Sequence, residues 1–217
     1  METEVKLGFK DKESLFKFAE SDVFRKLCKI CDDITPVYLE NSYLDTNSLT
    51  LNGRDGMVRV RHYSAIGIDE YEFTVKCGGK VSGGLHQRME WNVKSDTGLF
   101  SISEFKNKAS GEDPVSYLDE IFEGLTDDDL KVICCNSFCR TVFELNYYQS
   151  RIEACMDYGT IRGSDPQKTE EICELELELI SGDINDLNKL ADKIIKEADC
   201  HPLDATKYRR TLALAMG

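Results

Sequence analysis

Proline is scarce, with 4 in 217 residues, and tryptophan occurs once. No stretch approaches the ~18 consecutive apolar residues that a membrane-spanning helix needs. No apolar run follows Met1, since Glu2, Glu4 and Lys6 come at once. A secretory leader is therefore not expected, and a cytoplasmic location is. Internal repeats, low-complexity segments and Pro- or Ser-rich linkers are missing, so residues 1–217 read as one domain. A Walker loop, a strand–loop–helix glycine cradle and a Ser-His-Asp arrangement are missing too, which removes the commonest nucleotide-binding and serine-hydrolase designs. Positive charge is also short: 27 Lys and Arg stand against 40 Asp and Glu, a net charge of −13. That balance excludes a protein that coats nucleic acid, but not one that holds a small anion in a locally basic pocket.

What is present suffices for a core. Leu, Ile, Val and Phe number 56, about a quarter of the chain, above the ~20 % that marks disordered chains. Cysteine is plentiful but odd in number, at nine. Without a leader these read as reduced thiols. The pair Cys28 and Cys31 has metal or redox spacing, but no second such pair and no neighbouring His completes a site, so ordinary packing is expected.

Period-two alternation predicts strands over 2–9, 35–45, 57–64, 71–77, 85–94, 131–147, 149–158 and 170–181. Helices are predicted over 11–31 with Asp11 as cap, over 183–198 with Asp183 as cap, and over 203–216 after Pro202. Asp113-Pro114 opens a short helix within 96–125, Asn52-Gly53 and Asp55-Gly56 read as turns, and Gly78-Gly79 and Gly83-Gly84 read as the ends of a flexible connection. The whole is an α+β fold built on about eight mostly antiparallel strands.

Side chains at i and i+2 of a strand share a face. Glu2, Glu4 and Lys6 therefore fall together, as do Arg59 and Arg61, Thr74 and Lys76, Arg88 and Glu90, Glu153 and Asp157, and Glu174, Glu176 and Glu178. Each group backs onto an apolar face. One such strand would be an ordinary solvated edge. Many together are costly unless something compensates them, because like charges in a row destabilise a sheet. Closing the strands into a barrel puts the charge in a lumen. Carboxylates there suit Mg²⁺ or Mn²⁺, and Arg and Lys suit phosphate oxygens. The ligand such a lumen invites is a polyphosphate bound through divalent metal.

In chain order the same residues resemble a known family. Glu2-Thr-Glu4-Val-Lys6 resembles the ExExK signature of the CYTH domain, the triphosphate tunnel metalloenzymes. Tyr43-Leu-Asp45-Thr46, Arg59-Val-Arg61, Thr74-Val-Lys76, Arg88-Met-Glu90, Arg140, Asp157-Tyr-Gly159, Glu174-Leu-Glu176-Leu-Glu178 and Thr206-Lys207 resemble its later motifs. Asn92 stands where the family pattern has a second acid, and Thr206 where it has Ser. The resemblance implies a closed eight-stranded antiparallel tunnel flanked by helices, and metal-dependent hydrolysis of a triphosphate, most simply inorganic tripolyphosphate. It implies Glu2, Glu4, Asp157, Glu174 and Glu176 as ligands for Mg²⁺ or Mn²⁺, with Glu178 further along the tunnel. It implies Lys6, Arg59, Arg61, Lys76, Arg88, Arg140 and Lys207 as phosphate ligands, and Glu2, Glu4, Glu176 and Lys6 as catalytic. Seven bases against six acids would leave the lumen slightly positive and the acidity on the outside.

Metal-activated water would attack in line with no covalent intermediate. Glu4→Gln or Glu176→Gln is expected to abolish turnover and leave the fold intact. His62, His86 and His201 are expected to be structural or surface residues. A nucleoside or thiamine triphosphatase, a class IV adenylate cyclase and a non-catalytic polyphosphate-binding module are the other functions this pattern admits. Trp91 points away from the lumen by parity, which counts against a thiamine site. The expected partner is a triphosphate-bearing small molecule, with neither nucleic acid nor membrane, in a monomer or homodimer.

Overall fold

Strands whose two faces differ in polarity must bury one face against helices and gather the other, and a closed barrel does both. The computed structural model describes residues 1–27, 35–65, 67–109, 113–162 and 167–217. Its strands are β1 (Glu2–Phe9), β2 (Val37–Asp45), β3 (Gly56–Ala65), β4 (Ile68–Ser82), β5 (Leu85–Ser95), β6 (Lys131–Tyr147), β7 (Ser150–Arg162), β8 (Thr169–Ser181) and the short β9 (Cys200–Pro202). Its helices are α1 (Lys12–Ala19), α2 (Asp22–Leu27), α3 (Thr50–Gly53), α4 (Ile102–Lys108), α5 (Ser116–Ile121), α6 (Ile184–Glu197) and α7 (Lys207–Met216).

The strands run in the order β5-β4-β3-β2-β6-β7-β8-β1, every pair antiparallel, and β1 pairs back onto β5 to close a ring of eight. β1 divides its second edge: Glu2–Val5 pair with β5, and Leu7–Phe9 pair with β9. Closure leaves this part of the sheet without a free edge to aggregate.

The outward apolar faces are covered in two blocks. Val5, Leu7, Ile152, Leu175 and Leu177 pack against Leu15, Phe18 and Phe24 of α1 and α2 and against Leu187, Leu190 and Ile194 of α6. Val58, Phe73, Val75 and Trp91 pack against Phe105 of α4 and Leu118 and Ile121 of α5. Trp91 thus faces outward, as its parity requires. α7 does something different. Its Tyr208, Leu212 and Leu214 pack against Tyr43, Met57, Leu39, Phe138 and Ile172, which share the inward face with the charged residues. The C-terminal helix therefore fills one end of the barrel instead of flanking it.

Several expectations are revised. The predicted helix 11–31 is two helices, because the Ser21 hydroxyl accepts from the Phe24 N–H at 3.2 Å and starts a new helix. Its last turn, with Cys28 and Cys31, lies outside the described residues. Asn52-Gly53 is not a hairpin turn but the end of α3, which Asp45 organises: its carboxylate accepts from the N–H groups of Thr46, Leu51 and Asn52 at 2.7, 2.8 and 2.9 Å. Gly78 and Gly79 do not begin a flexible connection, since β4 runs on to Ser82 through a bulge between Cys77 and Lys80. A Cβ on Gly79 would lie 2.0 Å from the Gln87 carbonyl oxygen, at a φ of +114°. The predicted helix 203–216 begins only at Lys207, capped by the Thr206 hydroxyl, because 200–202 is drawn onto β1 as a strand. The caps at Asp11 and Asp183 are in place. The seven described cysteines are free thiols.

Candidate functional site

The inward faces enclose a cavity of about 250 Å³ against the N-terminal end of α7. All seven cations expected to bind phosphate line it: Lys6, Arg59, Arg61, Lys76, Arg88, Arg140 and Lys207. So do Glu2, Glu4, Glu176 and Glu178. Asp157 and Glu174 do not. They stand behind the wall, 0 % and 1 % exposed, and hold cations in place.

Glu176 is the centre of one charge network. It touches Lys6, Arg140 at 2.5 Å and Lys207 at 2.8 Å. Asp157 takes both arms of Arg140, at 2.7 and 2.6 Å, and Lys207 at 2.8 Å. Glu174 takes Lys207 at 2.7 Å and also meets Arg210. Burial opposes ionisation of Glu176, but Lys207, Lys6 and Arg140 override it and hold its carboxyl well below the usual range. Burial likewise opposes the charge on Arg140, and Asp157 overrides it.

The second network spans β4, β5 and β1. Lys76 bonds Glu2 at 2.6 Å and Glu90 at 3.0 Å. Burial would neutralise Lys76, but Glu2, Glu90 and Glu4 raise its affinity for the proton. Burial also works against the Glu90 charge, and Lys76 outweighs it. Glu2 is pushed up by burial and by Glu4 and Glu90, against the pull of Lys76.

Asn92 links this network to a cation. Its carbonyl accepts from Thr74 at 2.7 Å, Thr74 accepts from Arg59 at 2.7 Å, and the Asn92 amide donates to Glu90 at 3.0 Å. An acid at position 92 could not make that last bond. The Asn departure from the family pattern thus removes a charge and adds a donor.

Between the networks lies a row of acids. Glu4 stands opposite Glu178, and Glu178 opposite Glu153, on three successive strands. Burial, Glu90 and Glu4 push the Glu178 carboxyl up to about 7. The sign of the linkage follows. The ordinary value is 4.5, so nothing is lost below it, and the ionised form destabilises the fold progressively as pH rises to about 7. In metal-free protein, Glu178→Gln should raise stability at pH 8 by up to about 3 kcal/mol. Near pH 4 it should change nothing. Urea unfolding in a chelator at both pH values checks this, and an equal gain at both would refute it.

The donor chemistry of this row, hard carboxylate oxygens with an excess of negative charge, fits a divalent cation. Among the described residues, no three acidic, His or Cys side chains already converge as a coordination site.

The three histidines stay out of the cavity lining. His62 bonds Asp69 at 2.6 Å on the outer surface. His86, on the Arg88 face, is buried and bonds the Leu203 carbonyl at 2.9 Å. His201 lies in β9.

Sequence reasoning left out Glu72, Tyr63 and Cys155, and put Glu90 and Glu153 on charged faces without giving them a place in the site, yet all five line the cavity. Strand parity points to each of them: Glu72 is two before Thr74, and Cys155 two after Glu153. With Glu72, Glu90 and Glu153 added, seven carboxylates meet seven cations in the lining, so the lumen is balanced and not slightly positive. Arg210 was missed as well. Its signal is the i+3 spacing from Lys207 on one helix face.

The CYTH domain profile matches residues 1–212. An inorganic triphosphatase of Haemophilus influenzae is 29 % identical over 174 residues, 80 % of this chain and 45 % of that protein. The chain thus spans about half the length of that relative. Among solved structures, a Hippeastrum protein described as a candidate adenylyl cyclase with a dominant triphosphatase activity superposes with a TM-score of 0.70 at 16 % identity, covering 99 % of this chain and 97 % of that one. A candidate adenylate cyclase from Bacillus halodurans gives 0.56 at 16 % identity, covering 97 % and 98 %. No helix among the described residues is long and apolar enough to cross a membrane.

Proposed function

Because the chain belongs to the CYTH domain family, we propose that it is a divalent-metal-dependent triphosphatase whose substrate is inorganic tripolyphosphate, cut to pyrophosphate and phosphate. One observation carries this reading. Seven cations converge on one small cavity, and two of them, Arg61 and Arg88, have no carboxylate partner among the described residues. A buried guanidinium without a counter-ion is costly. A phosphate chain would repay that cost at Arg61, which is buried, and in part at Arg88, which is half-buried. The similarity to an inorganic triphosphatase supports the same substrate.

The residues divide the work. Arg59, Arg61 and Arg88 bind phosphate oxygens, Arg through paired donors. Lys6, Arg140 and Lys207, fixed by Glu176, Asp157 and Glu174, present a pre-organised positive wall to the charge that develops in phosphoryl transfer. Glu2, Glu4 and Glu176 line the cavity and would hold Mg²⁺ or Mn²⁺, with Glu178 beside them. Asp157 and Glu174 act through the cations they anchor. The metal, when bound, neutralises phosphate charge and lowers the pKa of a coordinated water. The buried setting excludes bulk water and strengthens each of these interactions.

Phosphate release from tripolyphosphate, ATP and thiamine triphosphate, each with Mg²⁺ and with Mn²⁺, tests the proposal. Tripolyphosphate should be hydrolysed fastest. Preference for ATP or thiamine triphosphate would move the assignment to those substrates, and a cyclic nucleotide formed from ATP would replace hydrolysis with cyclisation.

A further inference from the structure

Arg61 differs from the other buried cations of the cavity in what holds it. It is 7 % exposed and has no acidic partner among the described residues. Its Nε donates to the Asn41 side-chain oxygen at 2.8 Å. The Asn41 amide donates to the Asn136 oxygen at 2.9 Å. The Asn136 amide donates to the Thr211 hydroxyl at 2.8 Å and to the Tyr43 hydroxyl at 3.2 Å. Thr211 belongs to α7 and donates in turn to the Lys207 carbonyl at 2.6 Å. Aromatic rings complete the setting, with Tyr63 and Phe138 centred 5.7 and 6.0 Å from the guanidinium carbon.

Each link is neutral, and each of the three relay side chains is at least nine-tenths buried: Asn41 is 1 %, Asn136 5 % and Thr211 0 % exposed. Buried polar chains persist when they are fully satisfied, and then they fix a geometry. This one is satisfied at every step without an acid. Lys6, Arg140 and Lys207 are matched by Glu176, Asp157 and Glu174, so an incoming anion competes with carboxylates for them. Arg61 faces no such competition. An amide and not a carboxylate occupies the Nε–H, and the guanidinium, which also meets Tyr63, lines the cavity.

We propose that Asn41 and Asn136 are positioning residues, a charge-neutral relay that orients Arg61 toward a phosphate and ties that orientation to the seating of α7 through Thr211. The inference rests on the reading of the cavity as a triphosphate site. Like charge from Arg59 and Arg140 adds to the cost of Arg61 in the empty cavity and to its gain from an anion.

Asn41→Asp is the direct test. The change is isosteric, and the relay can absorb it. Asn136 can turn its amide toward the new carboxylate, and the Tyr43 hydroxyl can donate where it now accepts while Thr211 keeps its bond to the Lys207 carbonyl. Folding should survive, with an unfolding temperature near that of the wild type. The new acid neutralises Arg61, so KM for tripolyphosphate should rise at least tenfold while kcat changes less than threefold. A purely structural role would lower the unfolding temperature and leave KM unchanged, and that result overturns the relay. Should Asn41→Asp not fold, Thr211→Val removes the α7 link with little change of shape, and a KM unchanged from wild type there overturns the relay equally. If the wild-type protein releases no phosphate, hydrolysis is the part that fails. Calorimetric titration of tripolyphosphate into wild type and Asn41→Asp then decides the relay by the same tenfold criterion.

Discussion

Glu176→Gln should remove turnover and lower the stability of the protein. Among the described residues, Glu176 is the only carboxylate that touches Lys6, Arg140 and Lys207 together. Gln keeps the shape and removes the charge, so each of the three cations loses one carboxylate, while Glu4 still pairs Lys6, Asp157 still pairs Arg140, and Asp157 and Glu174 still pair Lys207. Leaving a buried charge unpaired typically costs about 3–5 kcal/mol, and the carboxylates that remain keep the loss here below that. The sequence analysis expects this variant to keep its fold, and the network adds that it should keep it at lower stability. The stabilisation from Glu176 is present above the ordinary carboxylate range and disappears as pH falls through its depressed value. The gap between wild type and variant in urea unfolding should therefore be full at pH 7 and shrink in strong acid. Activity should fall at least about 100-fold, the scale on which loss of one pre-organised charge-stabilising group acts. Tripolyphosphate should raise the unfolding temperature of the variant by more than that of the wild type, because the anion replaces the missing charge. Normal stability with normal turnover would show that the network is incidental.

Glu4→Gln should give an equal loss of activity with no loss of stability. Glu4 is buried and its one ion pair among the described residues is with Lys6, at 2.8 Å, which Glu176 also neutralises. On its other side stands Glu178. Deleting the Glu4 charge relieves a repulsion and strands no cation. If the acidic row holds the divalent ion, Mn²⁺ affinity should drop at least about tenfold, the range seen for weakened metal shells, and turnover about 100-fold or more. Electron paramagnetic resonance of free Mn²⁺ reads the first, phosphate release the second, and thermal unfolding confirms the fold. The Glu178 carboxyl should also move down from about 7, since Glu4 is one of the groups that raises it. Unchanged Mn²⁺ binding in a folded Glu4→Gln protein would remove Glu4 from the metal assignment.

The site was legible in the sequence wherever parity alone decides. Arg59 and Arg61 with Val58 and Val60 between and beside them fix which face enters the lumen, and a slip of one residue would invert it. That rule found Lys6, Arg59, Arg61, Lys76 and Arg88, whereas Arg140 and the helical Lys207 came from the family resemblance. Parity cannot give depth. Asp157 and Glu174 obey the same parity as Glu176, yet they lie behind the wall because Lys207 and Arg210 from α7 reach in and cover them.

The amphipathic pattern of 207–216 showed that a helix exists. It did not show that its apolar side meets the inside of the barrel, because Tyr208 and Leu212 would suit either surface. The relay from Arg61 to Thr211 is invisible for the same reason. Its members lie 20, 95 and 75 residues apart at successive links, and no local spacing marks them. The division of 11–31 into α1 and α2 was legible only in hindsight. Ser21 is an ordinary helix residue by composition and a cap only once its hydroxyl turns back to Phe24.

The central claim is that this cavity cuts a triphosphate with the help of a divalent ion. Phosphorus NMR of tripolyphosphate incubated with the wild-type protein and Mg²⁺ tests it in one time course. Pyrophosphate and phosphate should appear in equal amounts, and excess chelator should stop both. Tripolyphosphate signals that broaden or shift on binding yet never convert, with Mg²⁺ or Mn²⁺ present, would contradict it and make the barrel a polyphosphate-binding module.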